Sequence, residues 1–308
     1  MTTGGTDRVD VVSTRRLSRG QARAALLLAA LEEDRCGRQV LPEHVLYPLG
    51  DRGETTDRPN VRHLLCRSEN RLVGYAHLTD SNGHAVLHLT AMASCPAAAD
   101  LLVSEAAAQT ANLELWAHGN DSAAGLLAKR LDLTPSRELL IMIRPLPAEA
   151  DPQPPAPIRI RPFDPARDTN SWLELNSLAF AQLPDQGDWT AEDLRSRLDA
   201  DWFDPGGFLV AEDPTTGLVG FHWTKVDPHV RVDHQVSGEV LVLGVKPQWR
   251  GSGVAQALLS AGLEQLEDNG VTRAHLFVDT DNPRAIRFYQ RAGFEVFDRD
   301  CSFQLPPG

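Results

Sequence analysis

The sequence has few cysteines and no recognisable secretory leader. Four cysteines occur among 308 residues, namely Cys36, Cys66, Cys95 and Cys301, and none of them belongs to a CxxC pair. Scattered cysteines exclude a disulfide scaffold and favour reduced thiols. We therefore expect a cytoplasmic protein.

Basic residues and long apolar runs are also scarce. The chain has 42 acidic and 30 basic residues, which give a formal net charge of -12. This charge argues against general affinity for nucleic acid or anionic membranes. No apolar run approaches the length of a membrane span. With 42% hydrophobic residues the chain can bury substantial cores, and its length suits two domains.

Several catalytic and ligand-binding motifs are missing. There is no GxSxG, and no cysteine lies in a catalytic motif, so a covalent enzyme intermediate is not indicated. His84 and His88 lie four residues apart without a third ligand nearby, so no metal is expected. The phosphate-binding GxxxxGK[ST] and dinucleotide-binding GxGxxG patterns are absent as well.

The most informative segment runs from Val240 to Gln256 and reads VLVLGVKPQWRGSGVAQ. An apolar strand leads into a turn with Gly251 and Gly253, and apolar residues then follow at helical spacing up to Asn269. The first N–H groups of a helix lack intrahelical partners and carry the positive end of its dipole. The segment therefore predicts a site for a phosphorylated group.

Two patterns resemble the GCN5-related N-acetyltransferases (GNAT family). Gln248-x-x-Gly251-x-Gly253 resembles the loop that holds the pyrophosphate of acetyl-CoA, and LFVDTDNPRAIRFYQRAGFE from Leu276 to Glu295 is similar to the fifth strand and tyrosine-bearing helix. The resemblance implies acetyl-CoA as co-substrate. The cofactor-binding residues that the resemblance implies are Leu243, Gly244, Val245, Arg250, Gly251, Ser252, Gly253, Val254, Ala255, Gln256, Asn282, Pro283, Arg284, Ala285, Ile286 and Arg287.

The halves of the chain resemble each other across a proline-rich connector, PLPAEADPQPPAP. Residues 72–77 parallel 218–223, and 115–133 parallel 276–294. We predict an α/β (α+β) fold of two tandem GNAT domains, each a mixed twisted sheet flanked by helices. An N-terminal GNAT-like domain would span 1–145, a linker 146–157 and a catalytic domain 158–308. Helices are expected from Ser18 to Leu31 and from Thr190 to Leu198.

The two copies differ where chemistry is expected. After the predicted strand from Ala85 to Thr90 the first half reads AMASCPAAADLL, which contains neither glycine nor arginine. Ala128 stands at the position of Tyr289. We therefore expect only the C-terminal half to be catalytic. The N-terminal half would have a structural role or form one wall of the substrate cleft.

Longer segments resemble the mycothiol synthases, tandem acetyltransferases of this family. These segments are Trp116-Ala117-His118-Gly119, Arg137-Glu138-Leu139, Arg144-Pro145-Leu146, Asp185 to Thr190, Trp202-Phe203-Asp204-Pro205 and Phe221-His222-Trp223-Thr224-Lys225. The resemblance implies acetyl transfer from acetyl-CoA to the cysteinyl amine of 1D-myo-inositol 2-(L-cysteinylamino)-2-deoxy-glucopyranoside (Cys-GlcN-Ins), by direct attack in a ternary complex.

The expected reaction assigns roles to Glu239 and Tyr289. An α-amino group has a pKa of about 7.7 to 8, so it needs a base, for which Glu239 is the candidate. Tyr289 would donate a proton to the leaving thiolate, although a tyrosine beside Phe288 can equally be core. A backbone N–H between Leu243 and Val245 would bind the acetyl oxygen, with a bulge at Gly244.

Acceptor recognition rests on the resemblance, which implies Glu43, Asp185, Lys225, Glu239 and Phe277. Asp185 stands where the family has a glutamate, and Phe277 stands where it has a tyrosine. Each charged residue has a simpler alternative, since acids in loops and a lysine ending a strand are often just solvated.

Two other functions stay open. The chain could acetylate another small molecule or a peptide, or it could be a non-catalytic acetyl-CoA-binding regulator. Retention of both Glu239 and Tyr289 argues against the regulator, because binding alone requires neither. We expect a small-molecule acceptor, no nucleic-acid or membrane partner, and a monomer.

Overall fold

A computed structural model describes residues 9–50, 55, 57–81, 83–147, 154–181 and 187–306. Within these residues the strands are β1 (Val9–Thr14), β2 (Val61–Ser68), β3 (Arg71–Ser81), β4 (His84–Ala91), β5 (Leu113–His118), β6 (Arg137–Pro145), β7 (Arg159–Pro162), β8 (Phe208–Asp213), β9 (Gly217–Val232), β10 (Gln235–Val245), β11 (Arg273–Asp279) and β12 (Glu295–Gln304). The helices are α1 (Arg19–Cys36), α2 (Glu43–Gly50), α3 (Ala97–Ala107), α4 (Ala123–Arg130), α5 (Pro165–Ala179), α6 (Ala191–Leu198), α7 (Val254–Asp268) and α8 (Pro283–Arg291).

Helix starts follow local capping signals in the sequence. Ser18 and Thr190 each form a capping box at the start of α1 and α6, in which the side chain of the third helical residue bonds back to the cap. Helix α1 continues beyond the predicted Leu31 and ends at Gly37, which adopts a left-handed conformation. Both predicted helices are therefore confirmed, and the first is longer than expected.

The strands form one continuous mixed sheet in the order β1-β2-β3-β4-β5-β12-β6-β11-β10-β9-β8-β7. Strands β4 and β5 are parallel, as are β10 and β11 at the equivalent place in the second half. The two halves exchange their final strands, β6 and β12. Strand β12 pairs with β5 of the first half, β6 pairs with β11 of the second half, and β6 and β12 also pair with each other. The predicted mixed α/β fold is confirmed, and the sheets of the two halves are joined into one.

Helix α7 packs closely against the sheet. A Cβ at Gly262 would lie 2.2 Å from Cδ2 of His222 on β9, and a Cβ at Gly238 would lie 2.5 Å from Cδ2 of Leu266 on α7. Such distances leave no room for a side chain at either glycine. These contacts hold α7 against β9 and β10, and residues 246–253 connect the end of β10 to its N-terminus.

Two further observations concern the cysteines and possible membrane spans. The four cysteines are free thiols, as the spacing predicted. In the part of the chain that the structure describes, no helix is long and apolar enough to cross a membrane.

Candidate active site

The site is built where β10 separates from β11. The two strands pair through Gly238 with Ala274 and through Glu239 with His275, and no later residue of β10 has a register partner on β11. Strand β10 nevertheless continues to Val245, paired with β9 on its other side. Val240 to Val245 therefore present a backbone edge to a wedge between the strands.

Strand alternation decides which backbone groups face this wedge. The Lys246 N–H donates to the Val219 carbonyl on β9, and Gly244 pairs with Phe221 two residues earlier in the same ladder. Backbone groups alternate in direction along an antiparallel strand. Gly244 accordingly directs its N–H to β9, whereas Leu243 and Val245 direct theirs towards the wedge.

The bulge expected at Gly244 lies elsewhere. The register of β10 against β9 shifts between Val240 and Val242, so Leu241 is the extra residue. Gly244 stays in regular register. The position requires glycine for a different reason: a Cβ there would lie 2.6 Å from Cε1 of Phe221. The expectation of a bulge at Gly244 was therefore wrong, and ring packing explains the glycine.

The glycine-rich loop leads from β10 into α7. Gly251 and Gly253 have φ values of 82° and 93°, a region that favours glycine. A Cβ at Gly251 would meet no atom within 4 Å, and the space above Gly253 is nearly as open. Gly253 caps α7 without a side-chain hydrogen bond. The first turn of α7 thus has no side-chain acceptor from its cap, and the exposed loop from Arg250 to Gly253 leaves room for an anion.

Two side chains of the loop bond within the protein. The Ser252 hydroxyl donates to the Trp249 carbonyl at 2.6 Å, and Arg250 Nη2 donates to the Ala179 carbonyl at 3.4 Å. The Ser252 hydroxyl therefore stabilises the turn. Arg250 remains exposed, so its guanidinium also has access to a ligand.

The start of α8 forms the far side of the wedge. The Asn282 side chain accepts a hydrogen bond from the Ala285 N–H at 3.1 Å, and Pro283 follows at the first helical position. Ala285 and Ile286 are half-buried, whereas Arg284 and Arg287 are exposed. Helix α8 lies within the segment from Leu276 to Glu295 that the sequence predicted to carry the tyrosine-bearing helix, and Asn282 is its cap.

Glu239 is a half-buried carboxylate in the middle of three strands. It lies opposite Lys225 on β9 and opposite His275 on β11. Burial raises the pKa of Glu239 to about 7; Lys225 acts to lower it, and Glu43 and Asp227 add to the increase. A carboxylate with this pKa can accept a proton near neutral pH.

Lys225 is buried rather than solvated. Only 4% of its surface is exposed, its ammonium pairs with the Glu43 carboxylate, and its Nζ lies 4.8 Å from the centre of the Trp202 ring. Strand β9 extends to Val232, so Lys225 lies inside it. The solvated-lysine alternative is therefore wrong for this residue.

Helix α2 of the N-terminal half closes this side of the site. Glu43 begins the helix, and Tyr47 follows one turn later with its hydroxyl 2.5 Å from Oδ2 of Asp227. The prediction that the N-terminal half forms a wall of the cleft agrees with these contacts. Sequence reasoning missed Tyr47 and Asp227, although i,i+4 spacing from Glu43 and i,i+2 spacing from Lys225 could have found them.

Of the two remaining predicted acceptor-binding residues, Phe277 and Asp185, the structure describes only the first. Phe277 lies two residues after His275 and so on the same face of β11, is 43% exposed, and has its ring centre 5.8 Å from that of His275. It is therefore available to a ligand above the row formed by Lys225, Glu239 and His275. Asp185 lies outside the described residues.

Tyr289 packs on α8 beside the wedge. Its ring centre lies 5.2 Å from that of Phe288 and 5.8 Å from that of Phe294, in the core cluster that also includes Leu243. Burial raises its pKa above the ordinary value, so the phenol is protonated at neutral pH. Its hydroxyl has no hydrogen-bond partner among the described residues. Tyr289 thus combines a packed ring with an available donor.

The equivalent loop of the first half has no comparable cradle. Helix α3 starts at Ala97, and its cap residue, Pro96, makes no side-chain hydrogen bond. The N–H groups of Cys95, Ala98 and Ala99 donate to nearby carbonyls. The Ala93 N–H is taken by the Glu32 carboxylate at 3.1 Å. An acidic side chain in this position opposes a phosphate. In addition, no group of three or more His, Cys, Asp or Glu residues in the described ranges could hold a metal ion.

Comparison with known proteins gives the family. The Acetyltransferase (GNAT) family model matches residues 170–294. A mycothiol acetyltransferase of Salinispora tropica is 40% identical over 304 residues, 96% of each chain. One from Streptomyces avermitilis is 40% identical over 296 residues, 94% of this chain and 92% of the relative. This chain belongs to the mycothiol acetyltransferase family.

Solved structures agree on the fold. A GCN5-related N-acetyltransferase from Sphaerobacter thermophilus matches 97% of this chain and 96% of its own, with a TM-score of 0.68 and 22% identity. A tandem GNAT protein from the clavulanic acid biosynthesis pathway matches 98% and 99%, with a TM-score of 0.67 and 16% identity. Membership of the family makes this chain an acetyl-CoA-dependent N-acetyltransferase.

Proposed function

We propose that this chain transfers the acetyl group of acetyl-CoA to the cysteinyl amine of Cys-GlcN-Ins, giving mycothiol and CoA. The observation that carries the proposal is Glu239, a half-buried carboxylate with a raised pKa at the point where β10 and β11 separate. Its neighbours Lys225 and Glu43 come from opposite halves of the chain. A cytoplasmic, monomeric enzyme belongs to the same proposal.

The wedge and the loop suit acetyl-CoA. The backbone N–H groups of Gly251 and of residues 253–256 would hold the pyrophosphate, because Gly251 and Gly253 leave open space and α7 begins without a side-chain cap. The N–H groups of Arg250 and Ser252 donate within the loop and shape it. The open edge at Leu243 and Val245 would pair with the pantetheine amides, as an added strand does. The start of α8, from Asn282 to Arg287, would complete the binding surface.

Glu239 is the proposed general base. An amine with a pKa of about 7.7 to 8 is largely protonated at neutral pH and must lose a proton before it attacks the thioester. The pKa of Glu239, about 7, is close enough for that transfer to be efficient. Glu239 would take this proton directly or through one water, before the amine nitrogen bonds to the acetyl carbon.

We assign stabilisation of the acetyl oxygen and of the leaving thiolate to groups on the other side of the wedge. The N–H of Leu243 or Val245 would donate to the acetyl oxygen as it becomes negative. The protonated Tyr289 phenol would give its proton to the CoA sulfur when the carbon–sulfur bond breaks. The nitrogen of the ammonium loses two protons: Glu239 takes the first before attack and releases it to water, and it takes the second as the amide forms. Tyr289 gives its proton to sulfur and is reprotonated from water, so the step balances without a covalent enzyme intermediate.

The acceptor would lie between the halves. The region in front of Glu239 is bordered by Glu43, Lys225 and Phe277. We propose Asp185 as a further acceptor-binding residue. A pseudodisaccharide has many hydroxyls, which charged donors and acceptors of this kind bind well. The exposed Phe277 ring would cover an apolar face of the sugar.

The test is acceptor-dependent CoA release, with the product identified by mass spectrometry. We expect turnover with Cys-GlcN-Ins and a loss of about 10²- to 10⁴-fold in kcat for Glu239→Gln, with unchanged acetyl-CoA affinity by calorimetry. Acetyl-CoA binding without turnover of Cys-GlcN-Ins would refute the proposed acceptor. Turnover with unrelated amines instead would favour another small-molecule N-acetyltransferase.

A further inference from the structure

The segment Trp202-Phe203-Asp204-Pro205 has no role in the proposed reaction, although it lies beside the acceptor side of the site. The indole of Trp202 is only partly buried. Its ring centre lies 4.8 Å from Nζ of Lys225, and Lys225 lies opposite Glu239 in the ladder between β9 and β10. Trp202 therefore borders the region that the proposed acceptor occupies.

The position of Trp202 is fixed by the segment that carries it. The Asp204 carboxylate accepts hydrogen bonds from two side chains at the C-terminal end of α7, Gln265 at 3.2 Å and Asn269 at 2.9 Å. The Trp202 ring packs against the fully buried Trp223 on β9, with the ring centres 5.8 Å apart. A ligand that contacts Trp202 would thus meet a surface that is ordered before binding, which lowers the entropic cost of the contact.

Trp202 differs from its buried aromatic neighbours because a ligand can reach it. Trp172 and Trp223 are fully buried, and their enclosed indole N–H groups make no hydrogen bond to a described residue. The Trp202 N–H also has no hydrogen-bond partner among the described residues, but it is not one of the enclosed groups. Trp202 therefore offers an apolar ring surface together with a hydrogen-bond donor.

The chemistry of this surface matches a saturated ring that carries several hydroxyls. The C–H groups of such a ring pack on an aromatic side chain, and its hydroxyls accept hydrogen bonds from an N–H donor. The Lys225 ammonium lies 4.8 Å from the ring centre of Trp202 and 5.7 Å from that of Tyr47, so it can donate to the same hydroxyls. An amine without such a ring would leave the indole uncovered.

We infer that Trp202 is a specificity-determining residue that binds a polyhydroxylated ring of the acceptor. The indole packs against the C–H face of that ring, and its N–H donates to a ring hydroxyl. The inference rests on the proposed function and extends the acceptor site to the segment between α6 and β8.

The test compares Trp202→Ala and Trp202→Phe on two acceptors, Cys-GlcN-Ins and cysteinamide, which has the same cysteinyl amine and no ring. Loss of the indole in Trp202→Ala should raise the KM for Cys-GlcN-Ins about tenfold or more. Trp202→Phe keeps an aromatic surface and loses the N–H, so its KM should lie between those of wild type and Trp202→Ala. The kcat/KM for cysteinamide should match wild type in both variants.

The matched controls are Trp116→Ala and Trp116→Phe. Trp116 is also a partly buried tryptophan, and its ring stacks on that of His118 with the centres 6.2 Å apart. It lies on β5, which β12 and β6 separate from β11. Both controls should keep the wild-type KM for Cys-GlcN-Ins, and all four variants should bind acetyl-CoA with the wild-type Kd by calorimetry.

The pH profile separates contact with the acceptor from an effect through Lys225. Burial raises the pKa of Glu239 and Lys225 acts to lower it, so a displaced lysine would move the acid limb of kcat/KM to higher pH. We expect this limb to stay at its wild-type position in both Trp202 variants. A limb that moves to higher pH would overturn the inference, by showing that Trp202 only positions Lys225.

The remaining outcomes separate the two proposals. An active wild type whose Trp202 variants keep a normal KM for Cys-GlcN-Ins would overturn the inference alone. Equal losses with Cys-GlcN-Ins and cysteinamide would overturn it too, because recognition of a ring cannot affect an acceptor that lacks one. A wild-type protein without turnover of Cys-GlcN-Ins would overturn the proposed function, and with it the ring assigned to Trp202.

Discussion

Tyr289 illustrates how one side chain can be both core and reactive. Its ring packs between Phe288 and Phe294, while its hydroxyl has no partner among the described residues. Packing fixes the direction of the phenol, and burial keeps it protonated. These are the properties of a proton donor whose position does not depend on the ligand.

Removing this hydroxyl should affect chemistry and not folding. Tyr289→Phe keeps the ring, so we expect an unchanged midpoint of thermal unfolding and unchanged acetyl-CoA affinity, with kcat lower by about 10²-fold. Steady-state kinetics and calorimetry on one preparation would measure both. A kcat within twofold of wild type would show that the thiolate leaves without help from Tyr289.

At the residue scale the sequence predicts reactive groups better than their surroundings. Glu239 was placed through a resemblance that depends on nearby glycines and a helix start, which are local features. The burial of Lys225 and its contact with Glu43 depend on how two distant segments meet. Tyr47 and Asp227 were missed although their spacing from Glu43 and Lys225 is visible in the sequence. That spacing pointed to candidates, and only the meeting of the two segments shows that they contact each other.

At the scale of elements, the β10–loop–α7 unit is specified locally. Pro247 follows the end of β10, and two glycines with positive φ lead into α7. These signals made the strand, the turn and the helix predictable. The bulge, however, was predicted at the wrong residue. Gly244 is required by ring packing between strands, and no local sequence pattern records such contacts.

The loop itself can be tested at Gly253. Gly253→Ala forces a Cβ onto a residue with a φ of 93° and places a methyl group beside the first N–H groups of α7. We expect the Kd for acetyl-CoA to rise about tenfold, with a small loss of stability of about 1 kcal/mol. Isothermal titration and urea unfolding would measure the two effects.

A matched glycine separates strain from ligand binding. Gly83, in the β3–β4 turn, has a φ of 81° and equally open surroundings. Gly83→Ala should cost similar stability and leave acetyl-CoA affinity unchanged. Equal affinity in the Gly253→Ala and wild-type proteins would count against an anion site at this loop.

At the scale of the whole molecule, the halves are joined by exchanged strands. Strand β6 lies between β11 and β12, and β12 lies between β5 and β6. Arg38 adds a buried link, with its guanidinium 2.6 Å from Asp300 on β12, and His118 on β5 bonds the same carboxylate at 2.9 Å. The internal repeat predicted equivalent strands but could not tell which half each would pair with, since both choices satisfy the same local pattern.

Strand exchange predicts that the linker is not what holds the halves together. If a protease site is introduced at residues 149–152 and cut, the two fragments should elute together from a sizing column and keep acetyltransferase activity. Strand pairing and the buried Arg38 link would both have to break before the fragments part. Separate elution of two folded fragments would contradict this account. An engineered but uncut protein is the control.

The most direct test of the central claim is kcat/KM for Cys-GlcN-Ins measured against pH, in the wild type and in Glu239→Gln. The wild-type value should rise as Glu239 ionises near its pKa of about 7, on top of the acceptor amine's own titration at about 7.7 to 8. The variant should be about 10²- to 10⁴-fold slower and should lack the lower step. A variant that keeps both the wild-type rate and the step near pH 7 would contradict the assignment of Glu239 as the base.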